Sequence, residues 1–345
     1  MDARTEQLRQ ERRGPSSSRG PRIKEVRLQL PDGWAIRVGP NAVAMERRAL
    51  LWLTERGIIH DEASAEKFRR LSVGEYASWP FPMATPRRAE TITKFLSLWM
   101  FYDDAIEAAD DHQAETIHDA IRALPEKFAG GDAYLRCWWE LGQEYGRTMS
   151  RSWLDRHATR FSHWVASVQD ERIAGTAFRA LGTYPKTADH LARRRDTIGM
   201  TPNLDFLEYQ MGWELPNEVL RDPLMQRVER CAAEAVAIMN DLFGFSKDRA
   251  SRWSNLVSCW MSELDVSAAD AFESAAELHN SRVQELARVE LELLSKYAHI
   301  PELGDWFVGL HYVIYGFTKW HSRAPRYASS HQVREQEIRI KIDHV

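Results

Sequence analysis

Acidic residues continue an apolar helical face in the segment from residue 92 to residue 107. Four apolar side chains recur at the i, i+3, i+4, i+7 spacing of one helix face, namely Ile92, Phe95, Leu96 and Trp99. Asp103 lies on the same face one turn later, and Glu107 follows after another turn. A carboxylate that points into an apolar interior is costly unless a positive charge meets it. The pattern therefore favours a multivalent cation such as Mg2+ beside this helix.

A more ordinary interpretation of the acidic segment is also open. An isolated Asp-Asp-x-x-Glu motif, here Asp103 to Glu107, more often belongs to a solvated face or a helix start. Asp110 and Asp111, which follow closely, fit that interpretation. The motif alone does not decide between a metal site and a solvated face, so the rest of the chain must.

The composition excludes several classes of protein. The 345 residues are 44% apolar and 28% charged, with a formal net charge of −4, which gives no electrostatic reason to expect a nucleic acid or an anionic membrane as partner. No apolar run approaches the ~18 residues of a membrane span. The three cysteines lie far apart, so we expect neither disulfides nor a zinc finger, and a reducing, cytoplasmic location fits.

The first forty residues differ from the rest of the chain. Residues 1–24 are polar and basic, and we expect a disordered leader there. Val26, Leu28 and Leu30 then alternate with polar residues, and a turn signal leads into residues 35–38. This pattern predicts either a short hairpin or an extended arm.

From Asn41 onward, helical patterns separated by proline and glycine follow one another. The stronger helical segments beyond the acidic one are residues 134–151, 153–170, 184–195, 204–213, 223–246, 266–299 and 306–320. There is no internal repeat, no Gly-rich phosphate loop and no strand–helix alternation. We therefore predict an all-α fold, a single-domain bundle of about ten helices or more that occupies residues 25–345.

A second polar stripe occurs near residue 244. Asn240, Gly244 and Asp248 are four residues apart and share one helix face, on which Val236 precedes them. An amide oxygen and a carboxylate are ligands suited to Mg2+, with a water filling the gap at the glycine. Lys247 beside them suits a phosphate. The alternative is a helix end at which these residues cap the chain and complement the helix dipole.

The two stretches together resemble the metal-binding motifs of the class I terpene synthases of the microbial single-domain type. That family carries an Asp-rich motif on one helix and an Asn-Asp-x-x-Ser/Thr-x-x-x-Glu motif on another. The matching residues are Asp103, Asp104 and Glu107 in the first motif and Asn240 and Asp241 in the second. The resemblance covers roughly residues 45–330 and implies a helical bundle around a central active-site cavity.

The chain departs from the family pattern at two positions of the second motif. Gly244 stands where Ser or Thr is usual, and Asp248 is one methylene shorter than the usual Glu. A water can supply the oxygen that the glycine lacks. The shorter reach of Asp248 predicts a reduced affinity for metal.

Two distant features agree with the resemblance. The family has a diphosphate-sensing arginine 46 residues before the motif asparagine, which is Arg194 here, followed by a linker and an effector at a helix break, Thr197 and Ile198. The family also has a late Arg-Tyr pair after a Trp-bearing helix. The corresponding residues are Arg326, Tyr327 and Trp320.

The resemblance implies a role for each of these residues. Three Mg2+ ions are expected to hold the diphosphate of a prenyl diphosphate substrate. The implied metal-binding residues are Asp103, Glu107, Asn240, Gly244 through a water, and Asp248, with Asp104 in the same motif and paired with an arginine such as Arg326. The implied diphosphate-binding residues are Arg194, Lys247, Arg326 and Tyr327.

Aromatic side chains are the candidates for stabilising the carbocation that ionisation leaves behind. They are Trp99, Trp320 and Phe95, for which the alternative is plain core packing, favoured at Phe95. No protein base is obvious, so the diphosphate or the carbonyl of Ile198 is expected to take the proton. A homodimer is left open by the resemblance.

Three functions compete at this point. The resemblance implies cyclisation of an allylic diphosphate, with farnesyl diphosphate favoured and geranylgeranyl diphosphate the alternative. A chain-elongating prenyl diphosphate synthase would show two Asp-Asp-x-x-Asp motifs, and one acidic motif of that form occurs here. The departures at Gly244 and Asp248 instead support a non-catalytic helical protein that has kept the fold.

Overall fold

The computed structural model of the protein describes residues 25–34, 37, 39, 41–108, 116, 119, 132–324, 327, 332–334 and 337–341. The predicted leader, residues 1–24, lies outside this part of the chain, as do Ala35, Ile36 and Val38 of the suggested hairpin. The backbone of Asp104 and Glu107 is described, and their side chains are not.

Helices make up most of the described chain. They are α1 (Ala42–Glu55), α2 (Glu62–Leu71), α3 (Val73–Ser78), α4 (Pro86–Ala108), α5 (Ala133–Tyr145), α6 (Arg151–Leu181), α7 (Thr187–Thr197), α8 (Met200–Met211), α9 (Asn217–Leu220), α10 (Pro223–Ser251), α11 (Leu256–Leu264), α12 (Ala268–Lys296) and α13 (Glu302–His321). The predicted all-α class is confirmed. None of the helices in this part of the chain is long and apolar enough to cross a membrane.

The predicted helix boundaries are wrong at α5 and α6. The helix expected over residues 134–151 ends at Tyr145, because Ser150 caps a new helix by accepting a hydrogen bond from the Trp153 N–H. The helix expected to end near residue 170 continues to Leu181. It stops where Gly182 adopts a left-handed conformation, with φ of 69°.

Helix α10 runs through the middle of the bundle and contacts α7, α8, α11, α12 and α13. An uninterrupted buried stretch from Cys231 to Met239, in which Glu234 is the one charged residue, accounts for this position, because a helix buried on every face must be covered by neighbours on every side. Asp222 caps its first turn by accepting a hydrogen bond from the Leu224 N–H, and Pro223 occupies the first helical position. The polar residues from Asn240 onward continue directly from this buried stretch.

A small antiparallel sheet joins the two ends of the described chain, in the order β1 (Glu25–Gln29), β3 (Glu337–Lys341) and β2 (Gln332–Arg334). The alternation at Val26 and Leu28 predicted either a hairpin or an extended arm; residues 25–29 form a strand, in which both side chains are buried. The partner of β1 is β3, at the other end of the chain, with Val26 opposite Ile340. Asn280 of α12 fixes the strand to the bundle, since its side chain bonds the Gln29 N–H and the Arg27 carbonyl.

The close approach of α13 to the turn after α3 depends on Gly316. A β-carbon at Gly316 would lie 2.4 Å from the backbone nitrogen of Pro80, whereas a β-carbon at Gly304 in the same helix would meet nothing within 4 Å. We expect Gly316→Ala to lower the free energy of unfolding by about 1–3 kcal/mol through overpacking. Gly304→Ala, the matched control, should raise it by up to about 1 kcal/mol. Urea denaturation of both variants measures the difference, and equal stabilities would contradict the close packing.

Candidate active site

One cavity between α4, α6, α7, α10 and α13 brings the sequence candidates together. Apart from Phe95, every candidate whose side chain is described lies in its wall, and Gly244 lies there as well. These residues are Trp99, Asp103, Arg194, Thr197, Ile198, Asn240, Gly244, Lys247, Asp248, Trp320 and Tyr327. Arg326 lies outside the described residues, as do the side chains of Asp104 and Glu107.

The predicted helix break lies between α7 and α8. Gly199 separates the two helices with φ of 70°, in the left-handed region that favours glycine. A β-carbon there would lie 2.1 Å from the Trp99 ring. The indole N–H of Trp164 donates to the Thr197 carbonyl at 3.0 Å. Two aromatic rings therefore hold the break in the cavity wall.

Arg194, in the last turn of α7, is bonded at all three nitrogens of its guanidinium group. Nε donates to Asp241 Oδ1 at 3.2 Å, Nη1 to Thr197 Oγ1 at 3.1 Å and Nη2 to Asn240 Oδ1 at 2.9 Å. Glu171 lies 3.7 Å from Nη1. The guanidinium group thus connects the first two residues of the second polar motif to the helix break.

Asp241 is buried and acts as the hub of this part of the site. Its Oδ2 accepts hydrogen bonds from His190 Nε2 at 2.7 Å and from the Leu256 N–H at 2.9 Å. Burial alone would raise the pKa of this carboxyl, but the charges of Arg194 and His190 lower it below its usual range. The side chain therefore anchors Arg194, and it is not among the candidate metal ligands.

The side-chain amide of Asn240 has a fixed direction. Its Nδ2 donates to His321 Nε2 at 2.9 Å and to the Tyr327 hydroxyl at 3.3 Å. The Nδ1–H of His321 donates to the Phe317 carbonyl, so Nε2 of the neutral ring carries the lone pair that accepts from Asn240. The Asn240 Oδ1 consequently faces Arg194 and the cavity.

Asp248 is held by a buried asparagine that the sequence analysis did not single out. Asn255 Nδ2 donates to Asp248 Oδ2 and to the Asp241 carbonyl, both at 2.8 Å. Its Oδ1 accepts from the Val257 N–H and caps α11. Burial and the charge of Asp241 raise the pKa of the Asp248 carboxyl to about 6.

The two departures from the family pattern are neighbours in space. A β-carbon at Gly244 would lie 3.0 Å from Asp248 Oδ2, closer than most contacts of such atoms. The glycine therefore leaves room for the carboxylate of the shorter Asp248. A serine at this position, as is usual in the family, would crowd that oxygen.

The oxygen donors suit a hard divalent cation. Asp103 on α4 and Asn240 and Asp248 on α10 line the same cavity. The described residues contain no group of three His, Cys, Asp or Glu side chains arranged as a metal site, so a bound cation would draw on the Asn240 amide oxygen and on water as well. The pKa of Asp248 is raised because its carboxylate is buried near Asp241, and a bound cation would lower this pKa by stabilising the ionised form.

Aromatic and apolar side chains also line the cavity. Trp99 and Trp164 stack with ring centroids 3.4 Å apart, and Trp320 donates its indole N–H to the Leu71 carbonyl at 3.1 Å. Phe317 lies in the same wall. Phe95 instead packs against Phe206, with ring centroids 4.6 Å apart, which agrees with the packing alternative for that residue.

A family model described as "Terpene synthase family 2, C-terminal metal binding" matches residues 94–285, more than half of the 345 residues. The chain belongs to this family. The matched range begins in α4 and contains the whole second polar motif of α10. The predicted family is thereby confirmed.

Individual members of the family are distant in sequence. The chain is 24% identical to 7-epi-alpha-eudesmol synthase of Streptomyces viridochromogenes, over 82% of each chain. It is 22% identical to (+)-eremophilene synthase of Sorangium cellulosum, over 84% of this chain and 89% of the relative. The structure of linalool/nerolidol synthase from Streptomyces clavuligerus superposes with a TM-score of 0.74 at 19% identity, over 85% of this chain and 99% of that one. The fold of this terpene synthase family member is therefore that of the microbial enzymes.

Three functional residues were missed by reasoning from the sequence. His190, Trp164 and Asn255 each contact a predicted site residue, yet each comes from a different part of the chain. His190 is four residues before Arg194 and so shares its helix face, which is the one signal that could have indicated it.

The buried charge of Asp248 predicts a pH-dependent change in stability. Its folded-state pKa of about 6 exceeds the unfolded value of 3.8, so its contribution to stability is lost as the pH rises through about 6. Asp248→Asn removes the charge and keeps an acceptor for Asn255. We expect the metal-free variant to gain about 1–2 kcal/mol at pH 8, less than the full linkage value because the residue keeps some solvent contact, and little at pH 4.

Thermal denaturation of the metal-free protein at pH 4 and pH 8 measures this difference. Asp196→Asn, at an exposed aspartate on α7, is the control and should change neither melting temperature appreciably. If Asp248→Asn does not raise the melting temperature at pH 8, ionisation of the Asp248 carboxyl does not destabilise the folded protein, which contradicts its raised pKa.

Proposed function

We propose that this family member is a Mg2+-dependent terpene synthase that ionises an allylic prenyl diphosphate and cyclises the resulting carbocation, releasing diphosphate. Farnesyl diphosphate is the favoured substrate, because 7-epi-alpha-eudesmol synthase is named for cyclising it. Geranylgeranyl diphosphate is the longer alternative. The observation that carries the proposal is a single cavity whose wall combines oxygen donors and cations, here called its polar side, with tryptophan rings, here called its aromatic side.

The polar side of the cavity binds the head of the substrate. Asp103 and Glu107 of α4 would hold metal ions, and Asn240 and Asp248 of α10 would hold a further ion, with a water taking the place of the ligand that Gly244 lacks. Three ions are proposed in all, as in the resemblance. Bound Mg2+ neutralises the charge that develops on the diphosphate as the carbon–oxygen bond breaks.

The cationic side chains bind the same diphosphate directly. Arg194 and Lys247 line the polar side, and Tyr327 presents its hydroxyl beside Asn240. From the resemblance, Arg326 is proposed to complete the set and to pair with Asp104, both of whose side chains lie outside the described part of the structure. Donors that are fixed before ionisation stabilise the leaving group without reorganising, which is how such groups lower a barrier most.

Arg194 is also placed so that binding of the diphosphate can change the conformation of the helix break. Its Nη1 bonds the Thr197 hydroxyl, and the Ile198 that follows ends α7. A shift of the guanidinium toward an anion therefore pulls on residues 197–198 at the cavity wall. In this way the leaving group and the effector carbonyl of Ile198 come together, and either can accept the final proton.

The aromatic side encloses the hydrocarbon chain and its cation. Trp99, Trp164 and Trp320 offer π faces that stabilise a nearby cation by about 0.5–2 kcal/mol each. The indole N–H groups of Trp164 and Trp320 donate to backbone carbonyls, so neither group holds a water molecule beside the cation. The carbocation is thus kept from water until it cyclises.

The proposal is tested by incubating the protein with geranyl, farnesyl and geranylgeranyl diphosphate in turn. We expect cyclic C15 products by gas chromatography–mass spectrometry and matching diphosphate release with Mg2+, and neither with EDTA. Longer prenyl diphosphates formed on addition of isopentenyl diphosphate would instead indicate a chain-elongating enzyme. No product from any substrate, with a melting temperature unchanged by Mg2+ and pyrophosphate, would indicate a non-catalytic protein.

Three consecutive arginines of α7, Arg193 to Arg195, allow a functional role to be distinguished from a structural one. Arg194 is bonded to the polar motif, whereas Arg195 forms an ion pair with Glu234. We expect Arg194→Ala to lower kcat/KM by at least about 100-fold, since it removes a fixed donor to the leaving group. Arg193→Ala should change kcat/KM by no more than about threefold, as for a surface substitution. Arg195→Ala should lower the melting temperature and leave kcat/KM within a similar range. Equal kinetic losses at all three positions would contradict the assignment.

A further inference from the structure

A buried histidine stands behind the arginine of the site. His190 is 1% exposed, and both its ring nitrogens lie at hydrogen-bond distance from polar side chains. Nε2 is 2.7 Å from Asp241 Oδ2, and Nδ1 is 2.8 Å from the Ser254 hydroxyl. Both contacts join side chains, and neither involves the backbone of α7. The ring therefore does something other than complete a helix.

The two oxygens of Asp241 are divided between two side chains of α7. Oδ2 faces His190, and Oδ1 accepts from Arg194 Nε. His190 and Arg194 are one helical turn apart, so the carboxylate of α10 is clamped between neighbours on a single helix face. The rotation of the carboxylate is consequently set by His190, together with the Leu256 N–H.

The direction of the Arg194 guanidinium follows from this arrangement. With Nε held by Asp241, the planar group can turn only Nη1 and Nη2 toward the cavity, where they meet Thr197 and Asn240. A guanidinium binds an anion through its pairs of donors in a fixed geometry, so a change of angle costs affinity. A residue that fixes the orientation of the Asp241 carboxylate therefore also fixes the directions of Arg194 Nη1 and Nη2.

We propose that His190 is a positioning residue, which orients Asp241 so that Arg194 presents Nη1 and Nη2 to the diphosphate. This inference rests on the proposed function, since it takes the diphosphate as the ligand of Arg194. His190 itself touches neither the substrate nor the metal.

The electrostatics of the cluster support the same role. Burial lowers the pKa of His190, but the charge of Asp241 outweighs it and raises the pKa to about 9. The ring is then an imidazolium at neutral pH, with both nitrogens donating. Asp241 then lies between two cations, His190 and Arg194.

The chain contains a matched control for this cluster. His157 of α6 is buried, with Nδ1 3.0 Å from Asp205 Oδ2, and Asp205 also accepts from Arg160 at 2.8 Å. The composition is the same His–Asp–Arg set, but none of these three residues is among those that line the cavity. A general loss of packing at a buried histidine would affect both clusters alike.

The experiment is calorimetric titration with inorganic pyrophosphate at saturating Mg2+, which needs no turnover. His190→Leu removes the donor to Asp241, whereas His190→Gln keeps an amide nitrogen near the position of Nε2. We expect His190→Leu to weaken pyrophosphate binding about tenfold or more, as for coupled residues of one network, and His190→Gln to stay within about threefold. His157→Leu should bind like the wild type.

The Arg194→Ala background separates positioning from a structural effect. If His190 acts through Arg194, His190→Leu should cost no further affinity once Arg194 is alanine. A cost that persists in this background, or a His190→Leu variant that binds normally while Arg194→Ala does not, overturns the inference. A wild-type protein that fails to bind pyrophosphate with Mg2+ overturns the proposed function itself.

A measurement on the wild type covers the case in which His190→Leu does not fold. Nitrogen-15 spectra of the imidazole rings at pH 7.5 report which ring nitrogens carry a proton, and His190→Gln assigns the signal. We expect protons on both nitrogens of His190. A neutral ring without a proton on Nε2 cannot donate to Asp241, and this result would overturn the inference.

Discussion

The burial of the Asp241 carboxylate constrains how three helices can pack. An ionised carboxylate removed from water costs several kcal/mol unless partners surround it, and breaking such a buried pair costs about 3–5 kcal/mol. Its partners come from α7, through His190 and Arg194, and from the start of α11, through the Leu256 N–H. These elements can separate only if the carboxylate becomes exposed to water or is left buried without a partner. The polar side of the cavity is built on that restriction.

The same helix supplies the core and the chemistry. The stretch of α10 from Cys231 to Met239 is buried, and the next turns carry Asn240 and Asp248 into the cavity. Continuity along a helix transmits the position of the packed part to the polar part, because an unbroken hydrogen-bonded helix is stiff over this length. The directions of these two candidate metal ligands are thus set by apolar contacts that lie one or two turns away.

Periodicity along one helix was sufficient to predict the candidates that share a helix face. The four-residue spacing of Asn240, Gly244 and Asp248 identified a stripe that the folded chain turns into the cavity. The partner that aims Asp248 could not be read in this way, because Asn255 belongs to the next helix and contacts it across a turn. His190 was missed for a related reason, since its partner Asp241 is 51 residues away. Periodic patterns report which face is inward and carry no information on what meets it.

The strands show the same limit at longer range. Alternation predicted β1, but its partner β3 lies more than 300 residues further along the chain, and no local turn specifies that pairing. The end of α6 was also misjudged, because the stop signal is a single left-handed glycine at residue 182 rather than a loss of apolar periodicity. Long-range register depends on the whole fold, which a local reading does not contain.

The pairing of β1 with β3 gives the chain a closed, ring-like connectivity. Tyr327, whose hydroxyl meets Asn240, lies between α13 and the β2–β3 strands, so the segment that carries it is tied at both ends. One of those ties is made by residues 25–29, and Asn280 fastens them in turn to α12. The position of Tyr327 in the cavity wall therefore depends in part on β1, a strand almost the full length of the chain away. Lengthening, trimming or fusing the polypeptide near Glu25 is for this reason an alteration of the reaction chamber as much as of the terminus.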